Sequence, residues 1–294
     1  MKGIAGFYYV KSGDDVYRCK ARGIFKQRDI KPAVGDRVSF EILEGNDDSW
    51  ITHIHERKNS FIRPFIANVD CFVIVVAAAK PAPVPAVIDK LTVMAEKKDT
   101  DVIICVNKCD LAEGDSKGAR KASASIDEIH AKYDGIYPVV TLDSLSGSGF
   151  ESLKKLIRGK RVALAGPSGV GKSTITNRLI PEAAMETGDV SEKTQRGRHT
   201  TRHSELFPID DGDTMIFDTP GFTSFEILDV DETELQHLYP EIAELIGRCR
   251  YGDCYHLSEP GCAVREAVHE GSIHRARYDS YVEQIGEIRK KKQY

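Results

Sequence analysis

The residues with the clearest chemistry in this 294-residue chain are 166–173, which read Gly-Pro-Ser-Gly-Val-Gly-Lys-Ser. They match the phosphate-binding pattern G-x-x-x-x-G-K-S, in which glycines let backbone N–H groups turn around phosphate oxygens. The lysine of the pattern reaches the terminal phosphates, and the serine hydroxyl ligates magnesium. A chance glycine-rich turn is the alternative interpretation. The predicted triphosphate contacts are Gly166, Pro167, Ser168, Gly169, Val170, Gly171, Lys172, Ser173 and Thr174.

A second motif, Asn107-Lys108-Cys109-Asp110, matches the base-reading pattern N-K-x-D. The carboxylate of Asp110 only accepts hydrogen bonds, so it suits the ring N–H and the exocyclic amine of guanine. Adenine lacks that amine and places an acceptor where guanine has its N–H. The motif is weak alone, but beside the phosphate loop it predicts GTP as the nucleotide. The predicted base contacts are Asn107, Lys108, Cys109 and Asp110.

A third motif, Asp218-Thr219-Pro220-Gly221, matches D-x-x-G. Asp218 is expected to hold magnesium through water, and the N–H of Gly221 is expected to sense the terminal phosphate. The polar segment 187–201 lies between this motif and the phosphate loop, and a threonine at its end can close on magnesium. An ordinary surface loop is the alternative for that segment. The predicted magnesium set is Ser173, Thr200, Thr201 and Asp218.

Each motif is expected to follow directly after a strand that positions it. Apolar segments at 101–106, 161–165 and 213–217 precede the three motifs and predict such strands. Another apolar run, 71–77, is typical of a parallel strand that is covered on both faces. A helix is predicted between 71–77 and 101–106, which makes a βαβ unit. Its predicted buried face comprises Val87, Ile88, Leu91, Met94 and Ala95.

The order of the motifs is unusual, because the base-reading motif precedes the phosphate loop. A compact domain whose ends lie close together can be circularly permuted without changing its packing. The order therefore predicts a doubly wound α/β domain whose chain is cut at a different loop. The segment after Gly221 then leads directly into the C-terminal part of the chain.

The C-terminal part contains Cys249, Cys254, His256 and Cys262 with the spacing C-x4-C-x-H-x5-C. Three thiolates and an imidazole match a closed, tetrahedral, structural zinc site. The single residue between Cys254 and His256 is shorter than the usual zinc-finger spacing. Buried free cysteines with a surface histidine are the alternative interpretation.

These motifs resemble the circularly permuted, small-ribosomal-subunit-dependent GTPases of the RsgA family along nearly the whole chain. The most specific parts are the permuted order, Gly197–Thr201, Asp218–Phe222 and the Cys-Cys-His-Cys set. The resemblance implies a multidomain protein that hydrolyses GTP with Mg²⁺, holds one structural Zn²⁺ and acts in late maturation of the small subunit. It implies contact with the subunit and its rRNA, and stimulation of hydrolysis by the subunit.

The implied domains are an N-terminal OB-fold β-barrel at 1–65, a central permuted α/β P-loop GTPase domain at 66–229 and a mostly helical zinc domain at 230–294. Alternation of Val38, Phe40 and Ile42 with polar residues predicts a half-buried strand of the barrel. OB-folds commonly bind RNA. The aromatic and basic residues of the barrel are candidates for RNA contact. In the alternative interpretation, the aromatic residues form the core and the basic residues form the solvated face. These aromatic and basic residues are Phe7, Tyr8, Tyr9, Arg18, Lys20 and Arg22.

The residue after D-x-x-G is Phe222, whereas many GTPases carry a glutamine there that orients water. Intrinsic hydrolysis is therefore expected to be slow. His199 is the best candidate for the catalytic, water-orienting group, in agreement with the family resemblance; an RNA-contacting or plain loop histidine is the alternative. Two function classes remain open: a subunit-stimulated GTPase, or a GTP-gated rRNA-binding module in which hydrolysis is incidental.

The net charge of −4 argues against nonspecific coating of nucleic acid, so any RNA contact must be local. Arg196, Arg198 and Arg202 are candidates for such contact, whereas the basic tail 289–292 is interpreted as a solvated helix end. Apolar runs are too short for a transmembrane span or a signal peptide, and seven cysteines without framework spacing indicate a reducing compartment. We therefore expect a cytoplasmic monomer without membrane contact.

Overall fold

The computed structural model describes residues 2–4, 6–13, 15–23, 25, 30–42, 48–180, 204–209, 213–222 and 230–291. The predictions for His199, Thr200 and Thr201, and those for Arg196, Arg198 and Arg202, lie outside these residues.

The described strands are β1 (Lys2–Ile4), β2 (Phe7–Ser12), β3 (Asp15–Ala21), β4 (Val38–Glu41), β5 (Ser49–Ile54), β6 (Ser60–Ile62), β7 (Phe65–Ala67), β8 (Cys71–Ala77), β9 (Asp101–Asn107), β10 (Val139–Thr141), β11 (Arg161–Ala165), β12 (Glu205–Ile209) and β13 (Thr214–Phe222). The described helices are α1 (Pro85–Lys97), α2 (Lys117–Tyr133), α3 (Phe150–Ile157), α4 (Lys172–Leu179), α5 (Glu232–Leu235), α6 (Pro240–Ala243), α7 (Ala263–Glu270) and α8 (Arg275–Lys291). Short 3₁₀ turns lie at Cys109–Ala112 and Gln236–Leu238.

The chain divides into two compact units, each drawn from separate segments. Unit A comprises Met1–Val73, Glu151–Leu164 and Lys172–Phe222. Unit B comprises Ile74–Phe150, Ala165–Gly171 and Thr223–Tyr294.

The N-terminal strands of unit A are ordered β1-β2-β3-β5-β4. Neighbours are antiparallel except for β3 and β5, which run parallel. This is the five-stranded Greek-key arrangement that the OB-fold resemblance implied. Cys19, Phe25 and Ile51 form its buried centre, and Val38 and Phe40 pack against them. Ile42 lies past the end of β4 and is exposed, so the predicted alternation ends one step early.

Unit A continues through β1, whose residue Lys2 pairs antiparallel with Glu205 at the start of β12. β12 and β13 form a hairpin in which Glu205 lies opposite Asp218. β13 is the neighbour of β11, and α4 packs against β13. The strand that contains D-x-x-G is therefore next to the strand that leads into the phosphate loop.

The strands of unit B, which include the second half of β8 from Ile74, are ordered β10-β9-β8, and β9 and β10 run parallel. β8 is fully buried, as its continuous apolar sequence predicted. The N–H of Ala78, just after β8, donates to the carbonyl oxygen of Asn107 at the end of β9 (2.8 Å). The carboxyl ends of these strands therefore meet at one edge, where open α/β sheets bind their ligands.

Helix α1 is buried on two faces rather than the single face that was predicted. Ile88 and Leu91 belong to the predicted apolar face, but Asp89, Thr92 and Val93 are buried as well. Val93 belongs to the core of the C-terminal helices, which cover this second face. On α8, Tyr278, Tyr281, Ile285 and Ile288 are buried in the same core, whereas Val282 is exposed.

Four charged side chains, of which Glu241 is part-buried and the other three are buried, join α1 to α2 and to the C-terminal helices. Asp89 on α1 accepts from Lys132 of α2 and from Arg277 of α8, both at 2.7 Å. Arg277 also donates to Glu241 of α6 (2.6 Å), and its guanidinium lies 4.4 Å from the centre of the Tyr239 ring. Two cations and two carboxylates balance, which is what allows charges to be buried at all. We call these four residues the buried quartet.

Asp89→Asn is expected to destabilise unit B by about 3–5 kcal/mol, because two buried cations would then share one carboxylate. Burial alone raises the pKa of Asp89, but the charges of Arg277 and Lys132 outweigh burial and lower it. A carboxyl whose pKa is lowered by folding adds stability above its unfolded pKa and loses it as the pH falls through the folded value.

Urea unfolding at neutral pH and at pH 4 measures this effect, with the exposed Asp127→Asn of α2 as the control. The variant should lose stability at neutral pH and show a weaker loss on acidification than the wild type. Equal stability of the two proteins at neutral pH would contradict the prediction.

Candidate functional site

The phosphate-loop residues of unit B take a backbone path that requires glycine at two positions. Gly166 has φ +135, and a Cβ there would overlap the carbonyl oxygen of Val75. Gly171 has φ +102, and a Cβ there would overlap the side-chain amide of Asn107. The loop therefore lies against β8 and the base-reading motif at backbone distance, which is the close approach that glycine permits.

Asn107 is fully buried and links three segments. Its Nδ2 donates to the carbonyl oxygen of Val170 (2.8 Å) and to Oγ of Ser144 (3.1 Å). Its Oδ1 accepts from the backbone N–H of Ser144 (3.0 Å). The side chain thus fixes the phosphate loop and the loop after β10 to the end of β9.

Lys108 makes a second link across the same edge. Lys108 has a left-handed backbone conformation (φ +63), and its side chain extends toward the phosphate loop. Its Nζ donates to the carbonyl oxygens of Gly169 and Lys80, both at 2.7 Å. Asp110 follows in a 3₁₀ turn with an exposed side chain. Its carboxylate is therefore accessible to a base lying on the Lys108 stem.

Cys109 contributes shape rather than reactivity. Burial raises the pKa of its thiol, and its Sγ lies 3.2 Å from the carbonyl oxygen of Val106, to which the S–H donates. Its backbone N–H donates to the carbonyl oxygen of Leu142 (3.3 Å). The thiol stays protonated at neutral pH and holds the turn that presents Asp110.

Ser144 and Asp143 are site residues that the sequence analysis did not name. The Asp143 carboxylate accepts from the backbone N–H groups of Leu145 and Ser146, both at 2.9 Å, and so closes the turn beside Asn107. The available signal was a serine and glycine cluster directly after the apolar segment of β10. This turn is common in loops, so the pattern alone did not assign a role.

Among the described residues, Lys172, Ser173, Thr174, Asp218 and Gly221 of the predicted triphosphate and magnesium sets lie in unit A. Lys172, Ser173 and Thr174 form the first turn of α4, and the N-terminus of a helix favours anions. Burial lowers the pKa of Lys172, as expected for an ammonium held in a confined position. Asp218 is half-buried on β13, and Gly221 lies near the end of that strand.

A separate cluster in unit B brings together Cys249, Cys254, His256 and Cys262, with all four donor atoms within 4.8 Å of one another. Nδ1 of His256 lies 3.5 Å from Sγ of Cys249 and 3.4 Å from Sγ of Cys262, and these two sulfur atoms are 3.9 Å apart. A tetrahedron with Zn–S bonds of about 2.3 Å and a Zn–N bond of about 2.0–2.1 Å has S–S and S–N edges of about 3.8 and 3.5 Å. The cluster therefore has the size of a metal site.

The surroundings of the cluster orient its ligands. Nε2 of His256 lies 3.1 Å from Oε1 of Gln236, which fixes the tautomer that leaves Nδ1 free for a metal. The carboxylate of Glu259 accepts from the N–H groups of Tyr255, Leu257 and Ser258. Neither supporting residue was found from the sequence, because Gln236 precedes the four-residue cluster, and Glu259, although it lies between His256 and Cys262, acts through backbone N–H groups that no spacing reveals.

Burial raises the pKa of Cys254 to about 12 and also raises the pKa of Cys262, so these thiols hold their protons when no cation is bound. Metal binding must then release protons from the cluster. Three sulfur donors and one imidazole with no open position match a structural site for a borderline-soft cation such as zinc.

Comparison with known proteins places the chain in a family. The family model described as RsgA GTPase matches residues 54–228, and the model described as RsgA N-terminal domain matches residues 1–51. The chain belongs to the RsgA GTPase family. It is therefore a GTPase, and both the recognition of the family and the predicted enzyme class are confirmed.

Relatives match along the whole length. A protein of Alkaliphilus metalliredigens named small ribosomal subunit biogenesis GTPase RsgA is 40% identical over 295 residues, covering 100% of this chain and 98% of that protein. A protein of the same name from Ruminiclostridium cellulolyticum is 42% identical over 286 residues, covering 96% of this chain and 90% of that protein.

Two solved structures share the fold. YjeQ from Thermotoga maritima has a TM-score of 0.80 at 34% identity, with 97% of this chain and 95% of that chain covered. YloQ, described as a circularly permuted GTPase, has a TM-score of 0.77 at 33% identity, with 99% and 93% covered. The predicted fold, an N-terminal domain followed by a circularly permuted GTPase domain, is confirmed.

Proposed function

We propose that this GTPase acts as a late maturation factor of the small ribosomal subunit, and that the subunit stimulates its hydrolysis of GTP. The names of the relatives support the assignment to the small subunit. A factor of this kind contacts rRNA and works in the cytoplasm, as a monomer. In the described part of the chain, no helix combines the length and apolar character that crossing a bilayer requires.

The observation that carries the proposal is the set of bonds from Asn107 and Lys108. They tie the base-reading motif to Gly169, Val170 and Ser144 within one unit. A pocket whose base and phosphate contacts are already joined loses little freedom when a guanine nucleotide binds. In this proposal Asp110 reads the base, residues 166–174 hold the phosphates and the N–H of Gly221 senses the terminal phosphate.

Magnesium accompanies GTP, and its proposed ligands are Ser173 and Asp218, together with Thr200 or Thr201. Hydroxyl and carboxylate oxygens are the hard donors that this ion prefers. When bound, the ion neutralises charge on the β- and γ-phosphates. In the Cys/His cluster we propose one structural zinc ion, because its four donors leave no position open for substrate.

The experiment that tests the function is GTP turnover with and without purified small subunits. A stimulation of several orders of magnitude, absent with large subunits, is the expected result, because Phe222 is 1% exposed and carries no group that orients water. No stimulation, together with GTP-dependent subunit binding, would select the alternative, a GTP-gated rRNA-binding module.

Base selectivity provides a narrower test. Asp110→Asn replaces an acceptor oxygen with a donor, so GTP affinity should fall and preference should shift toward xanthosine triphosphate. A good bidentate base contact is worth about 1–3 kcal/mol, or roughly 5- to 150-fold in affinity. Fluorescent-nucleotide titration measures the change, and Asp115→Asn, an exposed carboxylate five residues later, is the matched control. An unchanged preference for GTP over ATP and xanthosine triphosphate would remove Asp110 from the site.

A further inference from the structure

Two buried phenylalanines flank the D-x-x-G motif on β13. Phe217 directly precedes Asp218, Phe222 directly follows Gly221, and each ring is 1% exposed. The motif between them carries the residue proposed to sense the terminal phosphate. Whatever these two rings pack against is therefore mechanically connected to that residue.

Phe222 packs into a cluster of three aromatic rings. Its ring centre lies 5.7 Å from that of Phe61 and 5.0 Å from that of Phe72, and the Phe61 and Phe72 centres are 5.1 Å apart. All three pairs meet edge to face, with interplanar angles of 86–89°. Edge-to-face packing is directional, so each ring restricts the orientation of the other two. We call these residues the aromatic cluster.

Phe61 lies on β6, which forms a two-stranded hairpin with β7. This hairpin is bonded to the N-terminal barrel. The N–H of Ala67 donates to the carbonyl oxygen of Val34 (2.9 Å), and Nδ2 of Asn68 donates to that of Gly35 (3.0 Å). The turn at 33–36 leads into β4, so the hairpin is a direct extension of the barrel.

Phe217 touches the same turn. Gly35 has φ +96, and a Cβ there would approach the Phe217 ring to 2.8 Å and overlap the carbonyl oxygen of Ala67. Asp36 holds the turn through bonds from Nε and an Nη of Arg57 (2.7 and 2.9 Å) and from the N–H of Ala33 (2.7 Å). Both ends of the D-x-x-G motif are thus packed against the barrel turn or its hairpin.

We propose that Phe222 is a positioning residue that sets Gly221 through the aromatic cluster, and that the cluster transmits the state of the terminal phosphate to the hairpin β6–β7 and the barrel. This inference rests on the proposed role of Gly221 in GTP binding. When one ring of a close-packed cluster is displaced, the other rings move with it, because such a cluster does not deform continuously. A large apolar residue after D-x-x-G, which orients no water, thereby has a mechanical role.

The first test needs no substitution. Hydrogen exchange of the wild-type protein is compared with GDP and with a non-hydrolysable GTP analogue, each in magnesium at saturation. Backbone amides within 60–67 should differ in protection between the two states by about fivefold or more, the lower end of typical allosteric coupling. Equal protection in the two states would overturn the inference while leaving the proposed function intact. Absence of guanine-nucleotide binding would overturn both.

The second test uses Phe61→Leu, which removes the aromatic edge and keeps an apolar side chain. GDP affinity should stay within about twofold, whereas the ratio of analogue to GDP affinity and the nucleotide-dependent exchange at 60–67 should both fall about fivefold. Phe40→Leu, which disturbs a ring pair with Tyr17 elsewhere in the barrel, is the matched control and should preserve both quantities.

A purely structural role for the cluster predicts a different pattern, in which Phe61→Leu weakens both nucleotides equally. That result would overturn the inference. Phe222→Leu and the double variant, Phe61→Leu with Phe222→Leu, complete a double-mutant cycle. If the two residues act through one contact, their effects on the affinity ratio are not additive, whereas independent residues have additive effects. Additive effects on the affinity ratio would likewise contradict the proposal.

Discussion

Purified Cys254→Ser protein is expected to lose its stoichiometric zinc, and protease should then cut it first within the loop 249–262. The reason is that structural zinc supplies folding free energy, with apparent values of about 10–16 kcal/mol in small zinc modules. The wild-type loop is held by the four ligands and by the Glu259 carboxylate. With one ligand lost, the remaining contacts are too few to keep the loop closed.

The damage should stay local, because the C-terminal helices bury an apolar core of their own that includes Leu235, Tyr239 and Ile285. Nucleotide affinity should therefore change little. Elemental analysis, limited proteolysis and GDP titration measure the three outcomes. Cys19→Ser, which removes a buried thiol of the N-terminal barrel, should keep the metal. Absence of zinc from carefully prepared wild type would rule out the assignment.

Replacing His199 with alanine is expected to separate subunit binding from hydrolysis. Subunit-stimulated turnover should fall about a hundredfold or more, the scale of a lost positioning or acid–base group. Binding to the subunit in the presence of GTP should remain, because the contacts proposed to the terminal phosphate and magnesium belong to other residues. The buried position of Phe222 strengthens this expectation, since that side chain offers no alternative means of orienting water.

Co-sedimentation with small subunits in GTP, GDP and a non-hydrolysable analogue, run beside turnover, distinguishes the outcomes. A shift from mostly incompetent to mostly competent protein requires about 5.5 kcal/mol of differential affinity. His203→Ala, in the same segment, is the matched control. Equal binding in all three states would refute a nucleotide gate, and full turnover in His199→Ala would move catalysis to another group.

Local patterns predicted the family and the enzyme class, and the reason is physical. The roles predicted for the glycines of 166–171 and for the carboxylate of Asp110 depend on backbone geometry and hydrogen-bond polarity, which are properties of short segments. The four-residue metal set lies within one short loop. The unbroken apolar run of strand β8 correctly predicted that the strand is buried.

Contacts between distant segments were not predictable in the same way. Arg277 and Asp89 are 188 positions apart, and each alone is typical of a solvated helix face. The single predicted face of α1 was incomplete for this reason, since periodicity in one segment does not reveal what covers its other side. Gln236 and Ser144 act only through His256 and Asn107, so their roles depend on the folded arrangement.

The buried quartet also affects which parts of the protein unfold together. Arg277 and Glu241 come from the C-terminal helices, whereas Asp89 and Lys132 come from helices next to the base-reading strand. Removal of the part of the chain after residue 229 would expose to water the face of α1 on which Asp89, Thr92 and Val93 are buried. The domain boundary that the resemblance implied at 229/230 is therefore not a line of weakness, and the C-terminal helices should melt together with α1 and α2 as one cooperative block.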